Sequence, residues 1–117
     1  MSRFIFPSLK TLQPVKFREL EGKIIRDIRR LWVGSNEVIF VCSDGIKYML
    51  CPAEDSEDIP RIIRIVGNIG DIIDKPIIWI KDGKDDEIYP NTFRLENKIE
   101  SLSITFTAGK LEFIRIN

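Results

Sequence analysis

Val38-Ile39-Phe40-Val41-Cys42-Ser43-Asp44-Gly45-Ile46-Lys47-Tyr48-Met49-Leu50 is the stretch on which the fold turns. Two β-rich runs flank Ser-Asp-Gly. Asp-Gly between such runs is the preferred two-residue hairpin turn, because Gly takes positive φ freely and Asp nearly so. That turn sets Val41 opposite Tyr48 and Ile39 opposite Leu50 on one side of a sheet, with Phe40 and Met49 sharing the other. Both sides are apolar, so the hairpin is expected in the middle of its sheet.

Toward the C-terminus, residues 51–60 are acidic and punctuated by Pro52 and Pro60, which marks a loop. Arg61-Ile62-Ile63-Arg64-Ile65-Val66 reads as a short strand with interleaved arginines. Asn68 stands three residues before Asp71, a helix cap followed by an acid in the first turn. The helix is expected near 68–74, with Ile69, Ile72 and Ile73 buried and Pro76 ending it. Ile77-Ile78-Trp79-Ile80 begins another strand, closed by the charged stretch over residues 82–87. Leu102, Ile104 and Phe106 then alternate with Ser and Thr, Ala108-Gly109 turns the chain, and Leu111 and Phe113 return. That alternation predicts a terminal hairpin with one buried and one solvated face.

Toward the N-terminus the reading is less determined. Leu20, Ile24, Ile28 and Leu31 or Trp32 follow helical spacing, while Ile24, Ile28 and Trp32 also share one face of a strand. The flanking Gly22 and the strand after it favour a strand. Residues 1–19, with Pro7 and Pro14, form an irregular or edge-strand arm, from which Phe4, Phe6 and Phe17 could dock onto the core. Residues 20–117 make a single domain.

Composition agrees with this pattern. Among 117 residues Ile occurs 21 times and Ala twice, a skew toward sheet over helix. A chain of this length needs no metal or disulfide staple to hold a core. The fold class expected is α+β: about five to seven mostly antiparallel strands, as a curved sheet or partial barrel, with one short helix. The first residues do not form a secretory signal, and no apolar run approaches the roughly 20 residues of a membrane span. Cytoplasm is the expected location.

There is no His in the chain, which excludes Ser-His-Asp and Cys-His catalysis and imidazole zinc sites. In the expected register Cys42 faces Lys47 and Cys51 faces Val38. The two thiols are then about 13 Å apart along the hairpin, beyond disulfide reach. A Cys42 thiolate activated by Lys47 is weighed against a buried free thiol, and the second is favoured. Gly67, Gly70 and Gly83 lack the spacing of a phosphate cradle, and Asp82-Gly83-Lys84-Asp85-Asp86-Glu87 lacks that of a calcium loop. No catalytic residue, metal or cofactor is assigned, and the chain is read as not an enzyme.

Two charged surfaces remain. Residues 1–50 carry nine Lys/Arg against five Asp/Glu, and residues 51–90 carry five against ten, although the net charge is zero. The acidic surface is Glu54, Asp55, Glu57 and Asp58 with Asp82, Asp85, Asp86 and Glu87; such loops can occupy an arginine-lined groove. The basic cluster is Lys23, Arg26, Arg29 and Arg30, with Trp32 able to stack on a base. On a helix those four would share a face; on a strand they would split. For both surfaces the ordinary alternative is solvated charge.

The order Gly-Lys-Ile-Ile, Asp-Gly hairpin, acidic loop, Ile-Val-Gly-Asn-Ile-Gly-Asp-Ile-Ile-Asp-Lys-Pro-Ile and Ser/Thr-alternating hairpin resembles a small, uncharacterised domain family of phage and bacterial genomes. That family carries a Gly-Asp-Leu-x-Asp-Leu-Ile-Gly-x-Pro-Ile-like segment after an acidic loop. The resemblance spans roughly residues 20–116, and residues 67–77 carry most of it. The chain departs from the family in lacking a Cys pair in its acidic loop. The resemblance implies a helix packed on a sheet and no chemistry, and it points to a mobile-element protein. The expected function is therefore a non-catalytic protein-binding domain, a phage- or bacterium-encoded inhibitor or accessory factor acting through the acidic loops. Nucleic-acid binding through the basic cluster is the alternative. A homodimer through an exposed last strand is a further expectation.

Overall fold

A computed structural model describes residues 12–81 and 91–116. The Asp44-Gly45 turn forms, but over three loop residues instead of two. The Cys42 N–H donates to the Ile46 carbonyl and the Gly45 N–H to the Cys42 carbonyl, each at 3.0 Å. Gly45 takes φ +87°, while the Asp44 carboxylate accepts the Ile46 N–H at 3.0 Å. The type I′ two-residue turn that Asp-Gly favours needs positive φ at both centres; a three-residue loop needs it at one, the last. The added loop residue moves the register by one. Phe40 faces Tyr48, Ile39 faces Met49, Val38 faces Leu50 and Val41 faces Lys47, and the expected pairing is corrected accordingly.

Nine strands form among the described residues: β1 Leu12–Pro14, β2 Ile25–Arg30, β3 Val38–Cys42, β4 Lys47–Pro52, β5 Ile62–Val66, β6 Trp79–Lys81, β7 Asn91–Glu96, β8 Ser101–Phe106 and β9 Leu111–Ile116. They make a five-stranded sheet in the order β1-β9-β4-β3-β2 and a four-stranded sheet in the order β5-β8-β7-β6. All pairings are antiparallel. The mainly antiparallel α+β class stands; the strand count is higher than expected, and the two sheets do not close into a barrel. The strand not expected is β7, mixed in polarity with Phe93 and Leu95 between polar neighbours, and the three-residue β1 falls in the arm read as irregular or edge strand.

The terminal hairpin does not form. β8 pairs with β5 and β7, while β9 pairs with β4 and β1. Residues 107–110 carry the chain from one sheet to the other. Long-range partners hold that crossing. The Thr107 N–H donates to the Arg61 carbonyl and the Arg61 N–H to the Thr107 hydroxyl, each at 2.8 Å. The Asn91 amide donates to the carbonyls of Thr107 and Gly109, each at 2.9 Å. Gly109 sits at φ +141°, so close to its neighbours that a Cβ would lie 2.7 Å from Pro60 Cγ. The expected solvated face is also partly closed, since Thr105 is buried and its hydroxyl lies 3.0 Å from that of Thr92.

Helix α1 spans Ile69–Ile72, with the Asn68 side chain accepting the Gly70 N–H at 2.8 Å. Ile72 is fully buried, and Ile69 and Ile73 pack against the core. The helix stops before Pro76. Asp74 turns left-handed at φ 64°, and its N–H donates to the Ile25 carbonyl at 2.8 Å. Segments preceding β2 and β6 tie the two sheets at one corner, through Gly22 N–H to Ile77 O at 2.6 Å and Ile77 N–H to Lys23 O at 3.0 Å.

Between the sheets lie Phe40, Tyr48, Leu50, Phe113, Leu95, Leu102, Ile104 and Phe106, among others. Each fully buried large side chain contributes roughly 1.5–3 kcal/mol. Phe17, from a 3-10 helix over Phe17–Leu20, does reach the core; its ring meets those of Phe40, Phe93 and Phe113 edge-on at 6.1, 5.0 and 4.9 Å. Phe4, Phe6 and Pro7 lie outside the described residues.

Candidate functional site

Lys23, Arg26, Arg29 and Arg30 do not line one face. The strand reading of this segment holds, and β2 distributes them. Lys23 precedes the strand and points at Asp44, with Nζ 2.7 Å from the carboxylate and 5.7 Å from the centre of the Tyr48 ring. That hydrogen bond holds the Lys23 ammonium above its usual range and the Asp44 carboxyl below its own. Arg26 occupies a bulge between Ile25 and Asp27 and pairs with Asp74 at 2.7 Å. Arg29 leans on Asp27 at 3.5 Å, and Arg30, opposite Val38, is half-buried. Three of the four cations therefore meet a carboxylate, and the continuous cationic stripe that phosphates would require does not arise.

The acidic loop is a braced turn. The Ser56 N–H donates to the Ala53 carbonyl at 3.2 Å, and the Ala53 N–H to the Lys110 carbonyl at 3.0 Å. The Ser56 hydroxyl donates to the Asp58 carbonyl and accepts the Lys110 N–H at 2.9 Å. Asp55 pairs with the Lys110 side chain at 2.9 Å, which lowers its carboxyl below the usual range. Glu54, Glu57 and Asp58 are exposed. The loop is thus fixed to the crossing between β8 and β9. Asp82, Asp85, Asp86 and Glu87, the other half of the expected acidic surface, lie outside the described residues.

Trp32, expected as a base-stacking side chain, stands elsewhere than on the strand. It is on the loop between β2 and β3, 63% exposed, beside Val33, which is fully exposed, and Leu31. The loop is closed by Ser35, buried, whose N–H donates to the Trp32 carbonyl at 3.0 Å and whose hydroxyl donates to the Glu37 carbonyl at 3.3 Å. Asn36 then accepts the Ile62 N–H at 3.0 Å and ties the loop to the start of β5. Ile59, immediately after the acidic loop, is also exposed, as are Ile63, Ile65 and Val66 on β5. Loop, acidic turn and the start of β5 thus gather at one end of the molecule. Sequence reasoning did not find this cluster. Leu31-Trp32-Val33 ahead of Gly34-Ser35 was the available signal, since large apolar residues in a turn have no core to enter.

A polar knot was also missed. The Tyr48 hydroxyl donates to Glu19 at 2.6 Å, and Arg115 donates to the same carboxylate at 2.7 Å and to Gln13. Burial alone would raise the Glu19 carboxyl, but the bonds from Tyr48 and Arg115 outweigh it and leave it lowered. Burial, aided by the bond to Glu19, pushes the Tyr48 phenol up to about 12. The knot fastens the 3-10 helix to β4 and β9.

Both thiols are free and buried. Cys42 faces Ile46, and Lys47 faces Val41, so the expected Cys42–Lys47 pairing is corrected by the three-residue turn. Burial pushes both thiols up to about 11, which keeps them protonated at neutral pH. Among the described residues no three or more His, Cys, Asp or Glu side chains group to hold a metal ion. No helix among them is long and apolar enough to cross a membrane.

No protein-family model, curated protein or solved structure matches the chain. The reading of function therefore rests on this surface alone.

Proposed function

We propose that the domain is a non-catalytic protein-binding module, an inhibitor or accessory factor, that engages its partner through the end bearing Trp32, Val33 and Ile59. The observation that carries this is the braced β2–β3 loop, which holds a large aromatic and a fully exposed Val in water. An exposed Trp on a preorganised loop gives an interface a large apolar anchor at small entropic cost. The acidic turn supplies the polar rim: Asp58 adjoins Ile59, with Glu54 and Glu57 exposed beside it. Such a rim suits a partner carrying Arg or Lys around an apolar pocket. The paired state of Lys23, Arg26 and Arg29 gives less support to nucleic acid as the ligand.

The test is capture of partners from host lysate with the wild-type chain, with Trp32→Ala, and with the charge-reversed pair Glu57→Lys and Asp58→Lys. A nuclease-resistant protein lost with Trp32→Ala and weakened by charge reversal is expected. Truncating an anchor of this kind costs about 2 kcal/mol or more of binding, roughly a thirtyfold loss in affinity. Capture that disappears with nuclease, or that ignores all three substitutions, would reject the reading.

A further inference from the structure

We propose that a second copy of this chain packs face to face on the outer side of the five-stranded sheet, about a two-fold axis that crosses the strands at Met49. Neither this nor the partner surface above depends on the other.

Strand register places the residues of this face. Ile39 stands opposite Met49, and Met49 opposite Ile114. Val41, Lys47 and Ile116 form the row on one side of them, and Cys51 with Glu112 the row on the other. Phe40, Tyr48, Leu50 and Phe113 alternate with these residues and fill the core, so the first set points the opposite way. Ile39 and Cys51 are only 9% and 6% exposed, yet they stand outside the core cluster. Val41, Met49, Ile114 and Ile116 are half-buried beside them. Among the described residues, the second sheet and both helices put their buried apolar side chains into the core, on the far side of this sheet. An antiparallel sheet with one face on a core ordinarily turns a polar face outward. This one turns out a band of aliphatic side chains spanning β3, β4 and β9.

The charges at the two ends of the band select a second copy as its occupant. At one end the carboxylates of Glu37 and Glu112 both act on the Cys51 thiol. At the other end, on the same strand as Cys51, stands Lys47, exposed. Lys47, Glu37 and Glu112 have no ion-pair partner among the described residues. A two-fold interface brings the same surface of both copies together, so for stacked sheets the axis lies in the plane between them. An axis along the strands would set carboxylates over carboxylates. An axis across the strands reverses each strand end for end. Met49 then meets its counterpart, and Lys47 of each copy lies over Cys51 of the other, with Glu37 and Glu112 beside it.

That contact is made twice per dimer. Stacked sheets lie about 10 Å apart, a gap that Lys and Glu side chains extending from opposite faces can close. Arg29, at the margin of the face opposite Ile39, is met by Asp27 of its own copy at 3.5 Å, so the two Arg29 side chains do not oppose the pairing. The net charge of zero leaves no long-range repulsion between copies. Five strands about 4.8 Å apart and the four-residue step from Lys47 to Cys51 make a face of about 20 Å by 14 Å. A face of that size sits at the low end of specific interfaces, so the dimer is a weak one.

Sedimentation equilibrium of the full chain from about 10 μM to 1 mM covers the dissociation constants expected for such an interface. The expected weight-average mass rises from 13.6 kDa toward twice that value. Met49→Lys, at the half-buried position on the axis, is expected to hold the mass at the monomer value throughout, with a cooperative thermal transition as the check on folding. Lys47→Glu, at an exposed position that leaves the fold intact, is expected to weaken association several-fold. Lys47→Glu combined with Glu37→Lys and Glu112→Lys is expected to restore it. A wild-type chain monomeric at every concentration would overturn the proposal. So would a dimer indifferent to Met49→Lys, or a charge swap that fails to rescue.

Discussion

Among the described residues β2 and β5 are both outer strands, both carry Ile with interleaved Arg, and each has one irregularity near its start. In β2, Ile25 and Ile28 are buried, and the side chain at the bulge is Arg26, held by Asp74. In β5, the register shift falls at Ile63, which is exposed, and Ile65 and Val66 follow it into water. The same device therefore turns a cation outward on one edge and an isoleucine outward on the other. β2 carries Arg26, Asp27, Arg29 and the Asp74 backbone on its outer side, whereas on β5 Ile63, Ile65 and Val66 stand exposed. Similar residues in similar elements do opposite jobs, and the position of one extra residue decides which.

The largest expected effect separates the two sheets that these strands close. Cys42, Tyr48 and Cys51 all lie in the β2 sheet and all have raised pKa values. A group whose folded pKa is raised stabilises fully below its unfolded value and loses that contribution as pH rises through the folded one. Stability is expected to hold up to about pH 9, where free thiols begin to ionise, and then to fall by on the order of 2 kcal/mol per thiol by pH 11. Chemical denaturation across pH 7–11 reads this. A flat profile would mean that the thiols are not buried as described.

Gly67, at the end of β5, comes next. At φ +107° its Cβ would run into the Ser101 carbonyl oxygen. Gly67→Ala is expected to cost about 2–4 kcal/mol in urea unfolding. A loss below about 0.5 kcal/mol, the range of neutral surface substitutions, would show that β5 is not seated on β8. The smallest effect in stability belongs to β2. Arg26→Val with Arg29→Val removes two exposed ion pairs and should change stability by less than about 1 kcal/mol. It should nevertheless leave an outer strand with apolar side chains in place of its charges, with light scattering rising with concentration. A variant as well behaved as the wild type would show that the charges on β2 protect nothing.

Much of this architecture is legible in the residues. Asp44-Gly45 marks the turn, Asn68 marks the helix start, and the polar interruptions of β2 fit a strand. The register was not legible, because Asp-Gly serves two- and three-residue turns alike and the outcome lies in whether Asp44 takes positive φ. The split between β8 and β9 was not legible either. Ser/Thr alternation followed by Ala-Gly looks the same for a hairpin as for two strands in different sheets, and Arg61, Pro60 and Asn91, all distant in sequence, decide it. The homodimer expected through the last strand loses its edge, since β9 lies between β1 and β4. Burial of the surface residues had the same limit. Whether Ile65 faces a core or water depends on which strand ends the sheet, and no local pattern records that.

Hydroxyl-radical footprinting read by mass spectrometry tests the contrast between the two edges most directly. The account predicts heavy labelling of Ile63, Ile65 and Val66 on β5 and protection of Ile25 and Ile28 on β2. Equal labelling of the two strands, or heavier labelling of Ile25 and Ile28, would contradict it.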